Sequence, residues 1–120
     1  MNQTTLEIGQ VGEDFAHKYL SSIGFKILER NWRWRKCEID LIAIHKNKLV
    51  FIEVKTRGRN PIDQGIDISH SQRRRIVNAA HTYLLKKRWE NFESRFDLVR
   101  VRKINKSWSV EHFIGVFEVL

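Results

Sequence analysis

The 120-residue sequence holds a single cysteine, Cys37, and a single proline, Pro61. One thiol excludes an intramolecular disulfide and a zinc site built from several cysteines. The proline sits in Gly58-Arg59-Asn60-Pro61, which reads as a loop. Apolar runs last only a few residues, far short of the roughly 20 that cross a bilayer. Residues 1–7 are polar and include an acid, so no secretory leader is expected. No repeat, low-complexity tract or linker divides the chain, and a single domain over residues 1–120 is expected. A reducing cytoplasm is the simplest location for such a protein, with no membrane partner.

Acidic residues are the other shortage. Asp and Glu number 14 against 22 Lys and Arg, which leaves a formal charge of +8. A small domain this basic is a candidate for phosphate-rich partners, because each Lys or Arg near a phosphate releases counterions. A generally basic soluble protein is the alternative. The apolar fraction of 42%, with seven Phe and four Trp, is enough for a real core.

The periodicity predicts a helix over 6–23, with Ile8, Val11, Phe15, Tyr19 and Ile23 as its apolar stripe and Gly24 closing it. Strands are predicted over 25–34, 38–44 and 49–56, the last two being the strongest. A second helix starts from a cap at Ser69 or Ser71 and runs to about residue 88, with Ile76, Val77, Ala80, Tyr83 and Leu84 inside. Two more strands, 96–101 and 108–113, are separated by a turn at Asn105. The order α-β-β-β-α-β-β implies an α/β sandwich with a mixed sheet.

Between the two strongest strands lies His45-Lys46-Asn47-Lys48, a tight-turn candidate. If Lys46 and Asn47 form a two-residue turn, Ile42 opposes Phe51, Asp40 opposes Glu53 and Glu38 opposes Lys55. Alternation then places Glu38, Asp40, Ile42 and Ile44 on one face with Leu49, Phe51, Glu53 and Lys55. The other face, Ile39, Leu41 and Ala43 beside Val50, Ile52 and Val54, is uniformly apolar. Two ionised carboxylates about 5 Å apart repel by roughly 3 kcal/mol at an effective dielectric near 20. A divalent cation such as magnesium or manganese is one reason for a sheet to keep Asp40 against Glu53. A salt-bridge cluster, with Lys55 neutralising Glu38 and Glu53 and with Asp40 solvated, is the other. The five histidines have no ligand spacing, and none is assigned to metal.

Asp40 followed by Glu53-Val54-Lys55 resembles the D…(D/E)-x-K signature of restriction-endonuclease-like PD-(D/E)xK nucleases. Gly12-Glu13, Arg30-Asn31, Glu38-Ile39-Asp40-Leu41-Ile42-Ala43, Phe51-Ile52-Glu53-Val54-Lys55-Thr56-Arg57 and Arg95-Phe96-Asp97 together are similar to the YraN-like family of bacterial proteins, which is placed in that superfamily. The resemblance implies a restriction-endonuclease-like sandwich. It implies Asp40, Glu53 and the Val54 carbonyl as ligands of Mg²⁺ or Mn²⁺, Glu13 as a direct or water-mediated ligand, and Lys55 as the catalytic lysine. On the residues alone, Glu13 reads as a boundary glutamate near Gly9 and Ala16, small neighbours that would let the helix approach the sheet. Where the family has a glycine before its Glu-Ile-Asp block, this chain has Cys37; a glycine there implies special backbone geometry.

Among the basic residues, Arg73 falls on the inner face of the second helix, where a cation opposes the helix dipole. It is expected either to contact a site carboxylate or a substrate phosphate, or to snorkel past the core edge. Arg74 and Arg75 read as solvated. Arg57 and Arg59 follow Lys55 on a loop suited to gripping phosphates. Trp32 and Trp34 share a face and interleave with Arg30, Arg33, Arg35 and Lys36, a mix that can stack bases but more often contributes to a core. Lys86, Lys87 and Arg88 suit the end of a helix. The expected function is a metal-dependent endonuclease acting on DNA, with branched or structured DNA as a candidate substrate. The alternatives are an inactive nucleic-acid-binding module of the same fold and a structural partner in a larger complex. Resolvase-like relatives act as dimers, so a homodimer is an open expectation.

Overall fold

The computed structural model describes residues 5–57 and 68–118 of the chain. Helix α1 (Thr5–Ser22) leads into strands β1 (Lys26–Trp34), β2 (Cys37–His45) and β3 (Lys48–Arg57). Helix α2 (His70–Lys87) then precedes β4 (Ser94–Ile104) and β5 (Ser107–Glu118). The strands form one five-stranded sheet in the order β1-β2-β3-β4-β5. Every neighbouring pair is antiparallel except β3 and β4, which are parallel. A parallel pair needs a long crossover, and α2 lies on it. The fold is therefore the α/β sandwich with a mixed sheet that the element order implied. Among the described residues, no helix is long and apolar enough to cross a membrane.

Turn chemistry fixes the hairpins. Lys46 and Asn47 both take positive φ, 50° and 65°, as a type I′ turn requires. The β2–β3 ladder then has the expected register from His45↔Lys48 to Leu41↔Ile52. Arg35 (φ 56°) turns β1 into β2 and Asn105 (φ 58°) turns β4 into β5. The left-handed residue before the Glu-Ile-Asp block is thus Arg35, and Cys37 starts β2. Gly24 (φ 97°) closes α1. Ser69 caps α2, its hydroxyl accepting from the Gln72 amide at 3.2 Å.

Each helix covers one face of the sheet. Beneath α2, Ile76, Ala79, Ala80, Tyr83 and Leu84 pack on Ile39, Ile42, Leu49, Phe51 and Phe96. Val77 is only half-buried, and Ala79 takes the inward place expected of it. Trp32 and Trp34 both pack at the margin of this core, so their shared face is the α2 face. Beneath α1, Ala16 and Leu20 pack on Leu41, Ala43, Val50, Ile52, Val99 and Val101.

Helix α1 sits about one residue away from the rotation its large apolar residues predict. Its buried line is Gly12, Ala16 and Leu20, while Phe15 and Ile23 are exposed; the Ile8 side chain lies outside the described residues. The cause is close approach to the sheet. A Cβ on Gly12 would stand 2.0 Å from Thr56 Oγ1, whereas one on Gly9 would meet nothing within 4 Å. The glycine that lets α1 settle on β3 is therefore Gly12.

Candidate metal centre

The predicted alternation along β2 fails at one residue, and that residue is Asp40. Leu41 and Ala43 face α1, as expected, but Ile39 packs under α2 with Ile42. The strand rotates between Ile39 and Leu41. The backbone ladder to β3 runs as far as Leu41↔Ile52, and Asp40 uses its side chain where a ladder would use its main chain. Its Oδ2 accepts from the Val54 amide at 2.8 Å. In an extended strand a residue's N–H and C=O project to the same side, so the Val54 carbonyl also faces β2.

This rotation gathers carboxylates from three elements. Carboxylate oxygens of Glu13 on α1 and of Glu38 and Asp40 on β2 lie within 4.8 Å of one another. Glu53 on β3 hydrogen-bonds to Asp40. These side chains, with Asn31, Val54 and Thr56, border a cavity of about 830 Å³. Glu53 also borders a smaller cavity of about 200 Å³, shared with Gln72 and Arg75 of α2. Another cavity, about 840 Å³ beside Leu84, Phe92 and Phe117, lies at the start of β3 and gathers no such cluster.

Cations pair with three of the four acids. Arg30 lies 3.7 Å from Glu13 and 3.0 Å from Asp14, Arg33 lies 3.0 Å from Glu38, and Lys55 lies 3.7 Å from Glu53. Among the described residues no cation pairs with Asp40. Burial and then the neighbouring Glu53 charge push its carboxyl up to about 8. Burial also raises Glu53, against the pull of Lys55 and of the hydrogen bond to Asp40. Two carboxyl groups this close resist ionising together, so a proton or a cation between them is favoured. Glu13 is likewise raised by burial, opposed by Arg30 and by the Asn31 amide. Of the salt-bridge alternative, the Lys55–Glu53 pair is present, Glu38 pairs with Arg33 instead of Lys55, and Asp40 is half-buried with no cation partner among the described residues.

The structure thus brings together Glu13, Asp40, Glu53, Val54 and Lys55. It does not bring Arg73 to them. The Arg73 guanidinium lies over the Phe117 ring at 4.8 Å, and the α2 cation beside the carboxylates is Arg75. One residue turns a helix by about 100°; two therefore carry Arg75 round to the flank where α2 meets β2. Arg59 and the Arg57 side chain lie outside the described residues.

Two neighbours carry no ligand or positioning role in the sequence reading. Glu38 stands there as a charge on the same face and as a salt-bridge partner of Lys55, and Asn31 only as part of the Arg30-Asn31 block. Asn31, turned with its amide nitrogen to the acids, donates to Glu13 Oε1 and Glu38 Oε1, both at 2.9 Å. Its signal was a strand-averse residue inside a strand.

Comparison with known proteins bears on this same stretch. The family model described as Uncharacterised protein family UPF0102 matches residues 12–101, a span that contains every residue of the cluster. A UPF0102 protein from Syntrophotalea carbinolica is 40% identical over 99% of this chain and 98% of its own. One from Caldanaerobacter subterraneus subsp. tengcongensis is 39% identical over 78% of each chain. One from Flavobacterium johnsoniae is 36% identical over 92% of this chain and 94% of its own.

Proposed function

The chain belongs to Uncharacterised protein family UPF0102, and from its Asp40…Glu53-Val54-Lys55 signature together with the carboxylate geometry we propose that it is a magnesium- or manganese-dependent nuclease acting on DNA. The observation that carries the proposal is Asp40: half-buried, with no cation partner among the described residues, hydrogen-bonded to Glu53 and within reach of Glu13 and Glu38. A carboxylate held this way at neutral pH is costly unless something positive arrives. The donor set is all oxygen, which suits a hard cation such as Mg²⁺ or Mn²⁺ better than Zn²⁺ or Cu²⁺. The residues present fit such an ion, with Asp40, Glu53, the Val54 carbonyl and Glu13 as the proposed ligands and Glu38, whose oxygens cluster with those of Glu13 and Asp40, as a further one.

A divalent cation bound there supplies Lewis-acid stabilisation of the charge that develops on the phosphoryl and leaving oxygens during hydrolysis. The chain's own residues supply position and protons. The Lys55 ammonium, 3.7 Å from Glu53, would orient the attacking water and offset negative charge on the phosphoryl group. The Val54 amide fixes Asp40 by one oxygen and leaves its other oxygen for a ligand. Arg33, with a side chain 77% exposed, is a cation that can leave Glu38 for a backbone phosphate. Arg57 and Arg59 would extend that grip. The formal charge of +8 supports DNA as the partner.

The test is incubation with branched, single-stranded and duplex DNA in Mg²⁺ or Mn²⁺. Cleavage that disappears on chelation and in Asp40→Ala is the expected result. No cleavage of any substrate, or cleavage that survives Asp40→Ala, overturns the proposal. Salt-dependent DNA binding that is indifferent to metal and to Lys55→Ala would instead identify an inactive nucleic-acid-binding module.

A further inference from the structure

We propose that Asn31 is the positioning residue of this centre, the group that aims Glu13 and Glu38 and so sets the affinity for the divalent cation. The inference rests on the metal-site reading above and adds a residue to it. Asn31 lies inside β1, and its neighbours pair regularly with β2, Arg30↔Leu41 and Trp32↔Ile39. Yet its φ is 52°. A strand interior has no use for a left-handed residue, and Asn is among the few side chains that tolerate one.

The consequence is visible on both strands. Arg30 reaches the acids of α1 and its partner Leu41 packs under α1. Two residues on, Trp32 and its partner Ile39 both pack under α2. Residues two apart in a strand should share a face. Both strands therefore reverse phase at facing positions, Asn31 on β1 and Asp40 on β2. The left-handed turn at Asn31 accompanies the rotation that frees Asp40 from the ladder and sends it to Val54.

The side chain then does a second task. With its amide nitrogen turned to the acids, the orientation in which both ends of the group find partners, it donates one N–H to Glu13 Oε1 and the other to Glu38 Oε1, each at 2.9 Å, so one group ties a helix carboxylate to a strand carboxylate. The outer oxygens of the same two acids face Arg30 and Arg33. Those arginines neutralise, and a guanidinium competes with an incoming cation. An amide orients two anions while adding no charge. Outer-shell hydrogen bonds of this kind fix ligand orientation, and their loss costs roughly 10–100-fold in metal affinity.

Two substitutions separate the roles. Asn31→Gly keeps the left-handed backbone and removes the amide; Asn31→Ala removes both. Mn²⁺ binding, followed by the electron paramagnetic resonance signal of the free ion, should weaken by roughly 10–100-fold in Asn31→Gly. The melting temperature without metal should stay close to that of the parent. Asn31→Ala should lose the same affinity and melt lower. A second readout needs no variant: in a Mg²⁺ titration of ¹⁵N-labelled protein, the Asn31 side-chain amide should shift in step with the Val54 backbone amide.

Parent-like Mn²⁺ affinity in Asn31→Gly overturns the inference alone, provided that the parent binds and Asp40→Ala does not. Movement of the Val54 signal without the Asn31 amide does the same, and decides the matter should Asn31→Gly fold poorly. Absence of Mn²⁺ binding by the parent overturns the metal-site reading and this inference with it.

Discussion

Replacing Asp40 by Asn should make the metal-free protein more stable while removing its affinity for divalent cations. Asn matches the shape of a protonated Asp40: its oxygen can still accept from Val54 and its nitrogen can donate to Glu53. In the parent, burial and the Glu53 charge raise Asp40 from 3.8 to about 8. The folded state therefore binds a proton that the unfolded state releases. A carboxyl raised in this way contributes fully below its unfolded value, and that contribution is lost as pH rises through the folded value. At about 1.4 kcal/mol per pH unit, the loss is bounded near 5–6 kcal/mol by pH 8. Local relaxation and water access reduce it to about 2–3 kcal/mol. Asn31, Val54 and Lys55 are untouched, so the difference between parent and variant isolates Asp40. Thermal melting in a chelator from pH 5 to 9 is the assay. The gap in melting temperature should open as pH rises and reach roughly 6–15 °C at pH 8, at about 3–5 °C per kcal/mol for a domain of this size. Saturating Mn²⁺ should raise the parent's melting temperature and leave the variant's unchanged. A variant no more stable than the parent at pH 8, or a gap that does not widen with pH, refutes the reasoning.

Lys55→Ala should bind Mn²⁺ as the parent does but cleave DNA about 10²–10⁴-fold more slowly; equal loss of both would make Lys55 a structural partner of Glu53. Gly12→Ala should cost about 1–3 kcal/mol in denaturant unfolding, because its Cβ would stand 2.0 Å from Thr56 Oγ1. Thr56→Ala in the same chain should recover part of that loss. Asp97 is fully buried and accepts from Arg95, from His112 and from the Gly115 amide. These bonds hold its carboxyl below the usual range although burial alone would raise it. Its contribution is thus present above the unfolded value and lost as pH falls through the folded one. Asp97→Ala should cost about 3–5 kcal/mol at pH 7, with a smaller penalty in acid; an equal penalty at pH 3 would count against the ion-pair account.

What could be read from the sequence and what could not divide along a physical line. The β2–β3 register from His45↔Lys48 to Leu41↔Ile52 was legible because a two-residue turn at Lys46-Asn47 admits one pairing, whereas the Asp40–Glu53 and Glu38–Lys55 pairs expected beyond it are not part of the ladder. The helix order was legible because apolar spacing reports a period. The reversal at Asp40 was not, because Ile39, Leu41 and Ile42 are all apolar, and a strand with both faces buried shows no break in its pattern when it rotates. The rotation of α1 was hidden for the opposite reason. Hydrophobic size suggested Phe15 and Ile23, whereas the sheet selected Gly12 and Ala16, whose smallness carries no periodic signal. Arg73 and Arg75 differ by two residues on a helix, a rotation that a stripe of mixed apolar residues does not resolve. Each of these misreadings bears on how the centre is assembled. Glu13 reaches the cluster because α1 lies low on Gly12, and Glu38 and Asp40 reach it because β2 rotates opposite Asn31. The ligand types were written in the residues, but their convergence depends on a close approach and a phase reversal. Testing Gly12 and Asn31 beside Asp40 therefore tests the assembly of the centre separately from its chemistry.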